Sequence, residues 1–360
     1  MSDLFATSRI EPYLKSIVGS SARILRQSVL AKARKKDLKG YGYGTPVLIE
    51  YEVDGSRRKA VVHTIRPSPF GHDHMADRAQ SLLWDHGAFN TLPRHVPSID
   101  VGAFRSDKSL VSLGDVEEFF TLTEFGEGAP YAGDLERIRD TGNFVDADLE
   151  RADALCDYLA AIHQTKGGDP GLYVRRIREL VGHSECIMGL IDNYPPGAGF
   201  DERLIAIERR CIDWRWKLKS HTHRLRQVHG DFHPWNILFD QGTDFCLLDR
   251  SRGEWGDPAD DVTCLTMNYL FFSLQRSGRL EGPFERLFRR FWERYLTRSG
   301  DAEILEVSAP FLAFRGLVMA HPVWYPHLEE GVRAKLFRFM DATLSNQKFN
   351  PEEVNRYCGA

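Results

Sequence analysis

Apolar and polar positions follow two different rhythms along this chain, and the change falls near residue 125. Residues 9–36 have helical character and end in a basic run, Lys32, Arg34, Lys35 and Lys36, which reads as a solvated helix end. From residue 40 the texture changes. Gly40, Gly42 and Gly44 alternate with Tyr41 and Tyr43, and Val47–Val53 then reads as a strand. Asp54-Gly55 is a strong hairpin signal, and residues 59–66 return as the partner strand until Pro67 stops them. A helix is predicted over 75–84 and a further strand over 118–123, leading into Glu124, Phe125, Gly126, Glu127 and Gly128.

Beyond this point helical periodicity dominates. Residues 149–163 set Leu155, Leu159 and Ile162 on one apolar face. Residues 172–192 and 201–219 also read as helices, separated by the Pro- and Gly-rich stretch 193–199. Two short strands, 236–239 and 245–248, turned at Gln241-Gly242, interrupt the pattern before helices resume over 259–346. The sum is an α+β chain with two lobes around a cleft: a strand-rich lobe over 1–123, a hinge over 124–128 and a larger helical lobe over 129–360.

Bulk properties narrow the setting. At 360 residues, 42% hydrophobic and 27% charged, the chain is an ordinary globular one with room for two lobes. A net charge of −4 argues against a general nucleic-acid binder. Its 6 cysteines are scattered without a Cys-x-x-Cys pair and read as reduced thiols, which points to the cytoplasm. No signal peptide is expected from the first residues, and the apolar stretches 267–274 and 311–320 are short or broken by Arg315, so no membrane span is expected.

The chemistry concentrates in His229-Gly230-Asp231-Phe232-His233-Pro234-Trp235-Asn236, followed by Asp249. In this layout Asp231 orients and deprotonates an attacking hydroxyl, while Asn236 and Asp249 are hard oxygen ligands of the kind that hold Mg²⁺ against nucleotide phosphates. Residue types, order and spacing all agree, and they point to a kinase. His229 reads as a buttress that fixes the loop through a ring N–H to a carbonyl. His233, two residues past Asp231, is placed to reach the transferring phosphoryl group or to pack in the loop. His221, His223, His229 and His233 invite a zinc reading, but no Cys or carboxylate stands at a structural-zinc spacing. Gly40, Gly42 and Gly44 form an ordinary glycine turn or, placed before this hairpin, a loop that covers phosphates. Asp257, Asp260 and Asp261 cluster ahead of a helix, where Asp261 caps the helix or braces the loop.

Taken together, residues 229–236, Leu247-Leu248-Asp249 and Gly256-Asp257-Pro258-Ala259-Asp260-Asp261 resemble the aminoglycoside phosphotransferase and choline kinase-like family. The resemblance extends, more weakly, over residues 37–265. It implies the two-lobed protein kinase fold and transfer of the ATP or GTP γ-phosphate to a hydroxyl on a small molecule. It also implies that the backbone around Glu124, Phe125 and Gly126 hydrogen-bonds the base edge. A cation on the third strand is expected to reach the phosphates and pair with an acid on the next helix. Here the candidates are His63 and Arg66, set on opposite faces by strand alternation. Position favours His63 and permanent charge favours Arg66, and the choice stays open. Asp77 is the best helical acid. The metal ligand Asp249 is followed by Arg250-Ser251-Arg252, a departure from the family pattern.

The expected function is therefore a Mg²⁺- and ATP-dependent (GTP possible) small-molecule kinase acting on a hydroxyl substrate, with Asp231 and His233 at the reaction centre and no nucleic-acid or membrane partner. The alternative is a nucleotide-binding pseudokinase, motivated by the missing strand Lys and helix Glu. Glu329-Glu330 beside Trp324-Tyr325 reads as an exposed helix start or as an acidic, aromatic wall for a polyamine substrate.

Overall fold

The computed structural model describes residues 3–30, 44, 46–197 and 199–359. Gly40, Gly42 and the basic run 32–36 lie outside the described residues. The architecture is α+β, and the chain divides into two compact units at Thr123 and Glu124.

In the first unit, helix α1 (Thr7–Val18) precedes an antiparallel sheet of β1 (Arg23–Val29), β2 (Val47–Val53) and β3 (Ser56–Val62), with β2 in the centre. Strand alternation decides the packing. Val47, Ile49, Tyr51 and Val53 point one way and bury against Phe5, Ile10, Leu14 and Ala22. Asp54 (φ 49) and Gly55 (φ 73) make the tight turn into β3. Helix α2 (Met75–Phe89), β4 (Gly102–Phe104) and β5 (Leu110–Ser112) complete the unit.

Three expectations are corrected here. Residues 23–29 form a strand rather than the end of a long helix, because β2 has an open edge and the Ile24 amide is drawn to Glu11 Oε2 at 2.9 Å. Strand β3 stops at Val62, so His63 and Arg66 follow the strand and the alternation argument between them lapses. Residues 118–123 form no strand; without a ladder partner, Phe120 and Leu122 are each 90% exposed.

The second unit opens with β6 (Ala129–Pro130), α3 (Tyr131–Thr141), α4 (Asp146–Ile162), α5 (Pro170–Gly182), α6 (Ile187–Asp192) and α7 (Asp201–Leu218). The helix expected over 172–192 is thus two, parted at residues 183–186. Strands β7 (Arg226–Gln227), β8 (Ile237–Phe239), β9 (Phe245–Leu247) and β10 (Trp255–Gly256) follow. The chain ends in α8 (Pro258–Ser277), α9 (Gly282–Ser299), α10 (Ile304–Val307), α11 (Ala309–Ala320), α12 (Glu330–Ser345) and α13 (Val354–Tyr357). Helix α8 is buried on every side over 258–274, and α11 nearly so, which makes them the axis of this unit. Around them α9 turns one apolar stripe inward, including Phe284, Phe288, Phe291 and Tyr295.

Close packing leaves a glycine no alternative at the start of this unit. At Gly128 (φ 118) a Cβ would stand 2.7 Å from the Phe239 carbonyl oxygen. Gly128→Ala is expected to destabilise the protein by about 1–3 kcal/mol, read from the denaturant midpoint.

Candidate active site

A short hairpin and one helix cap position the polar residues of 229–249. Strands β8 and β9 pair with Ile237 opposite Leu247, and past the ladder the Leu248 amide donates to the Asn236 carbonyl at 2.9 Å. Register therefore sets Asn236 and Asp249 at the same open end of one hairpin. The Asn236 amide nitrogen donates to the Asp231 carbonyl at 3.1 Å, which leaves its Oδ1 as the free ligating atom. Asp249 sits in the left-handed region at φ 49, is exposed, and accepts from the Ser251 amide at 3.2 Å. One open carboxylate and one oriented amide oxygen fit a divalent cation whose other ligands are phosphate and water. Among the described residues no group of three His, Cys, Asp or Glu side chains is arranged to hold a metal.

Behind the hairpin the loop is clamped from α8. Asp257 takes the cap, its Oδ1 accepting from the Ala259 amide at 2.9 Å. That frees Asp261 to brace. Its Oδ2 accepts from the His229 amide at 2.8 Å and its Oδ1 from the Gly230 amide at 2.7 Å. His163, at the end of α4, reaches the same Oδ2 at 3.1 Å through Nε2 and meets the Tyr295 hydroxyl at 2.7 Å through Nδ1. Asp261 is fully buried; burial pushes its carboxyl up, but His163 and the two backbone amides outweigh that and leave it lowered. Gly230 takes φ 89, a turn that a side chain would resist. His229 is the expected buttress: its Nδ1 accepts from the Asp231 amide at 3.2 Å, so Nε2 carries the proton and donates to the Leu248 carbonyl at 2.9 Å.

The Asp231 carboxylate faces two guanidinium groups and a histidine. Arg315 of α11 donates to its Oδ1 at 2.6 Å, Arg252 stands 4.0 Å from the same oxygen, and His233 Nε2 is 3.7 Å from Oδ2. Burial alone would raise its pKa; Arg315 first, then Arg252 and His233, reverse that and hold it at about 2. His233 moves the other way: burial, then Arg315, His229 and Arg252, outweigh Asp231 and lower its pKa. It is therefore neutral near pH 7, unlike a Lys, with Nδ1 accepting from the Trp235 amide at 3.2 Å and Nε2–H facing Asp231.

Asp231, His233, Asn236 and Asp249 thus stand together on one loop and hairpin. The remaining candidates lie on other segments of the chain. Gly44 backs onto the Thr64 carbonyl, which leaves no room there for a Cβ. His63 and Arg66 are exposed. Asp77 Oδ2 accepts from the His74 amide at 2.7 Å and so caps its own helix. Glu124, Phe125 and Gly126 open the second unit. Phe125 is exposed, while a Cβ on Gly126 would touch Cys246, Leu238 and Leu248 of the hairpin at 3.3 Å each. Glu330 is likewise exposed at the start of α12, where Arg333 is its partner.

Sequence reasoning missed Arg315, seen only as a break in an apolar stretch. The missed signal is the rule that a cation in a buried helix needs an anion.

Comparison with known proteins gives the site a family. No curated protein matches this chain. Among solved structures, the amicoumacin kinase hAmiN in complex with AMP-PNP, Ca²⁺ and Ami matches at 14% identity and TM-score 0.38, over 91% of this chain and 91% of that one. The choline kinase LicA from Streptococcus pneumoniae matches at 11% identity and TM-score 0.35, over 93% and 97%. In one glucosamine kinase structure the match, at 20% identity and TM-score 0.34, spans 63% of this chain and only 56% of that chain. Likenesses this distant carry no inference about substrate. The model of the phosphotransferase enzyme family matches residues 50–302, well over half of the chain. This chain belongs to the phosphotransferase enzyme family.

Proposed function

We propose that the protein is a small-molecule kinase that moves the γ-phosphoryl group of ATP, or GTP, to a substrate hydroxyl. The convergence of Asp231, Asn236 and Asp249 at one end of the hairpin carries this reading. Asn236 Oδ1 and Asp249 would hold Mg²⁺, which when bound neutralises charge on the β- and γ-phosphates. Asp231 presents Oδ2 to the acceptor hydroxyl. The acceptor oxygen bonds to the γ-phosphorus while the bond to the β–γ bridging oxygen breaks, and ADP leaves with that electron pair. The hydroxyl proton passes late to Asp231 and on to solvent. Such a weakly basic carboxylate acts mostly by orientation, as suits a loose transition state. Neutral His233 donates Nε2–H toward the same region.

On the nucleotide side we propose base contacts from the backbone of Glu124, Phe125 and Gly126. Phosphate contacts come from Gly40, Gly42, Gly44 and either His63 or Arg66, with Asp77 as the acid beside them. Free cysteines, five of them buried, suit a reducing cytoplasm. Among the described residues no helix is long and apolar enough to cross a membrane.

Calorimetric titration of ATP with Mg²⁺ tests the reading. Asp249→Ala is expected to weaken binding about tenfold or more, because one of the two side chains that would hold Mg²⁺ is gone. If the parent binds neither ATP nor GTP, the kinase reading fails. The competing pseudokinase draws on His63 and Arg66 lying past the end of β3. It predicts nucleotide binding without ADP release in a screen of hydroxylated metabolites and antibiotics.

A further inference from the structure

Helix α11 carries a single charge in an otherwise apolar sequence, Arg315, and that side chain is 5% exposed. Its guanidinium donates to Asp231 Oδ1 at 2.6 Å, to the Gly230 carbonyl at 3.2 Å and to Asp260 Oδ1 at 2.9 Å. Asp260 is held in turn by Arg176 of α5, at 2.7 Å through its other oxygen, and Arg176 also donates to the Arg252 carbonyl at 2.7 Å. A line of alternating charge, Arg176, Asp260, Arg315, Asp231, thus runs from three helices into the loop. Burying such groups costs several kcal/mol each, and apolar replacements of buried ion pairs are often no less stable. Stability is therefore a weak reason for a guanidinium in this helix.

Geometry supplies a better one. Among the described residues, Arg315 is the only hydrogen-bond donor to the Asp231 carboxylate, and it takes Oδ1 alone. Oδ2 has His233 Nε2 at 3.7 Å, beyond hydrogen-bond reach. We propose that Arg315 is a positioning residue of phosphoryl transfer: it fixes Asp231 through Oδ1 and so reserves Oδ2 for the acceptor hydroxyl. This rests on the reading of Asp231 as the residue that orients the acceptor.

The groups that set the Asp231 charge come from several elements. Arg315 (α11), Arg252 (the turn after β9) and His233 (the loop) lower its pKa, against burial. Asp260 and Asp261 of α8 lie behind it, with Asp260 bridged by Arg315 and Asp261 bound to the loop backbone.

The test is kcat and KM for ADP release from Mg·ATP by the protein, as parent, Arg315→Lys, Arg315→Met and Asp231→Asn, with water as acceptor where the screen yields none faster. Arg315→Met is expected to lower kcat about 100-fold with KM for ATP little changed, the size of a lost orienting interaction. Arg315→Lys should recover part of the rate, since an ammonium keeps the charge but cannot make the fork. It also serves if the Met variant fails to fold. In both variants, kcat and ATP affinity falling together, or neither falling, would make Arg315 purely structural and overturn the proposal. Parent-like turnover by Asp231→Asn would instead remove the reading of Asp231 on which the proposal rests.

Discussion

Asp231→Asn is expected to bind Mg·ATP like the parent and to release ADP about 10³-fold more slowly, the size of effect that loss of a general acid–base group produces. The substitution is nearly isosteric, and an amide oxygen can still accept from Arg315, so the loop keeps its shape. What goes is the negative charge that orients the hydroxyl and takes its proton. Arg315 retains Asp260 at 2.9 Å, so no guanidinium is left buried and unpaired. The expected pattern is normal nucleotide affinity with collapsed kcat, checked by calorimetry alongside ADP release.

Acid stability reports on the same charge. The Asp231 pKa is depressed from 3.8 to about 2, so its contribution is fully present above pH 3.8 and is lost as the pH falls through about 2. Asp231→Asn removes that contribution at all pH values. The gap in melting temperature between parent and variant therefore narrows as the pH drops from 4 toward about 2, and a gap that widened would contradict the assignment.

Asp261→Ala is expected to cost about 3–5 kcal/mol of stability, the usual penalty for removing one partner of a buried charged network. Two backbone amides, those of His229 and Gly230, lose their acceptor in a fully buried place, and the His163 ring nitrogen loses its carboxylate. Catalysis should fall with it, because these amides fix the turn that presents Asp231. Asp249→Ala makes the opposite pair of effects. Its exposed carboxylate takes one surface bond, from the Ser251 amide, so stability should stay within about 1 kcal/mol while Mg·ATP binding weakens. Denaturant midpoints of the two variants side by side separate brace from ligand.

The arrangement of the 229–249 loop and hairpin was legible because its geometry is local. An Asp, an Asn and an Asp on a loop and a two-strand hairpin hold their relation through a few backbone bonds, and the residue types at those spacings leave little else to build. The Asp54-Gly55 turn and the helices α4 and α7 were legible for the same reason, since each is decided within a few residues. Alternation failed where pairing decides. Residues 23–29 became a strand because β2 offered an edge, while residues 118–123, equally strand-like in composition, found no partner.

By itself, then, the amino-acid sequence determined the family, the α+β class and the cluster of Asp231, His233, Asn236 and Asp249. Only the tertiary structure decided what surrounds that cluster: Arg315, 84 residues from Asp231, and His163, 98 residues from Asp261. Spacing along a chain says nothing about which distant charge will share a buried site. That is settled when helices pack, because an ionised group taken out of water must meet its opposite or stay outside.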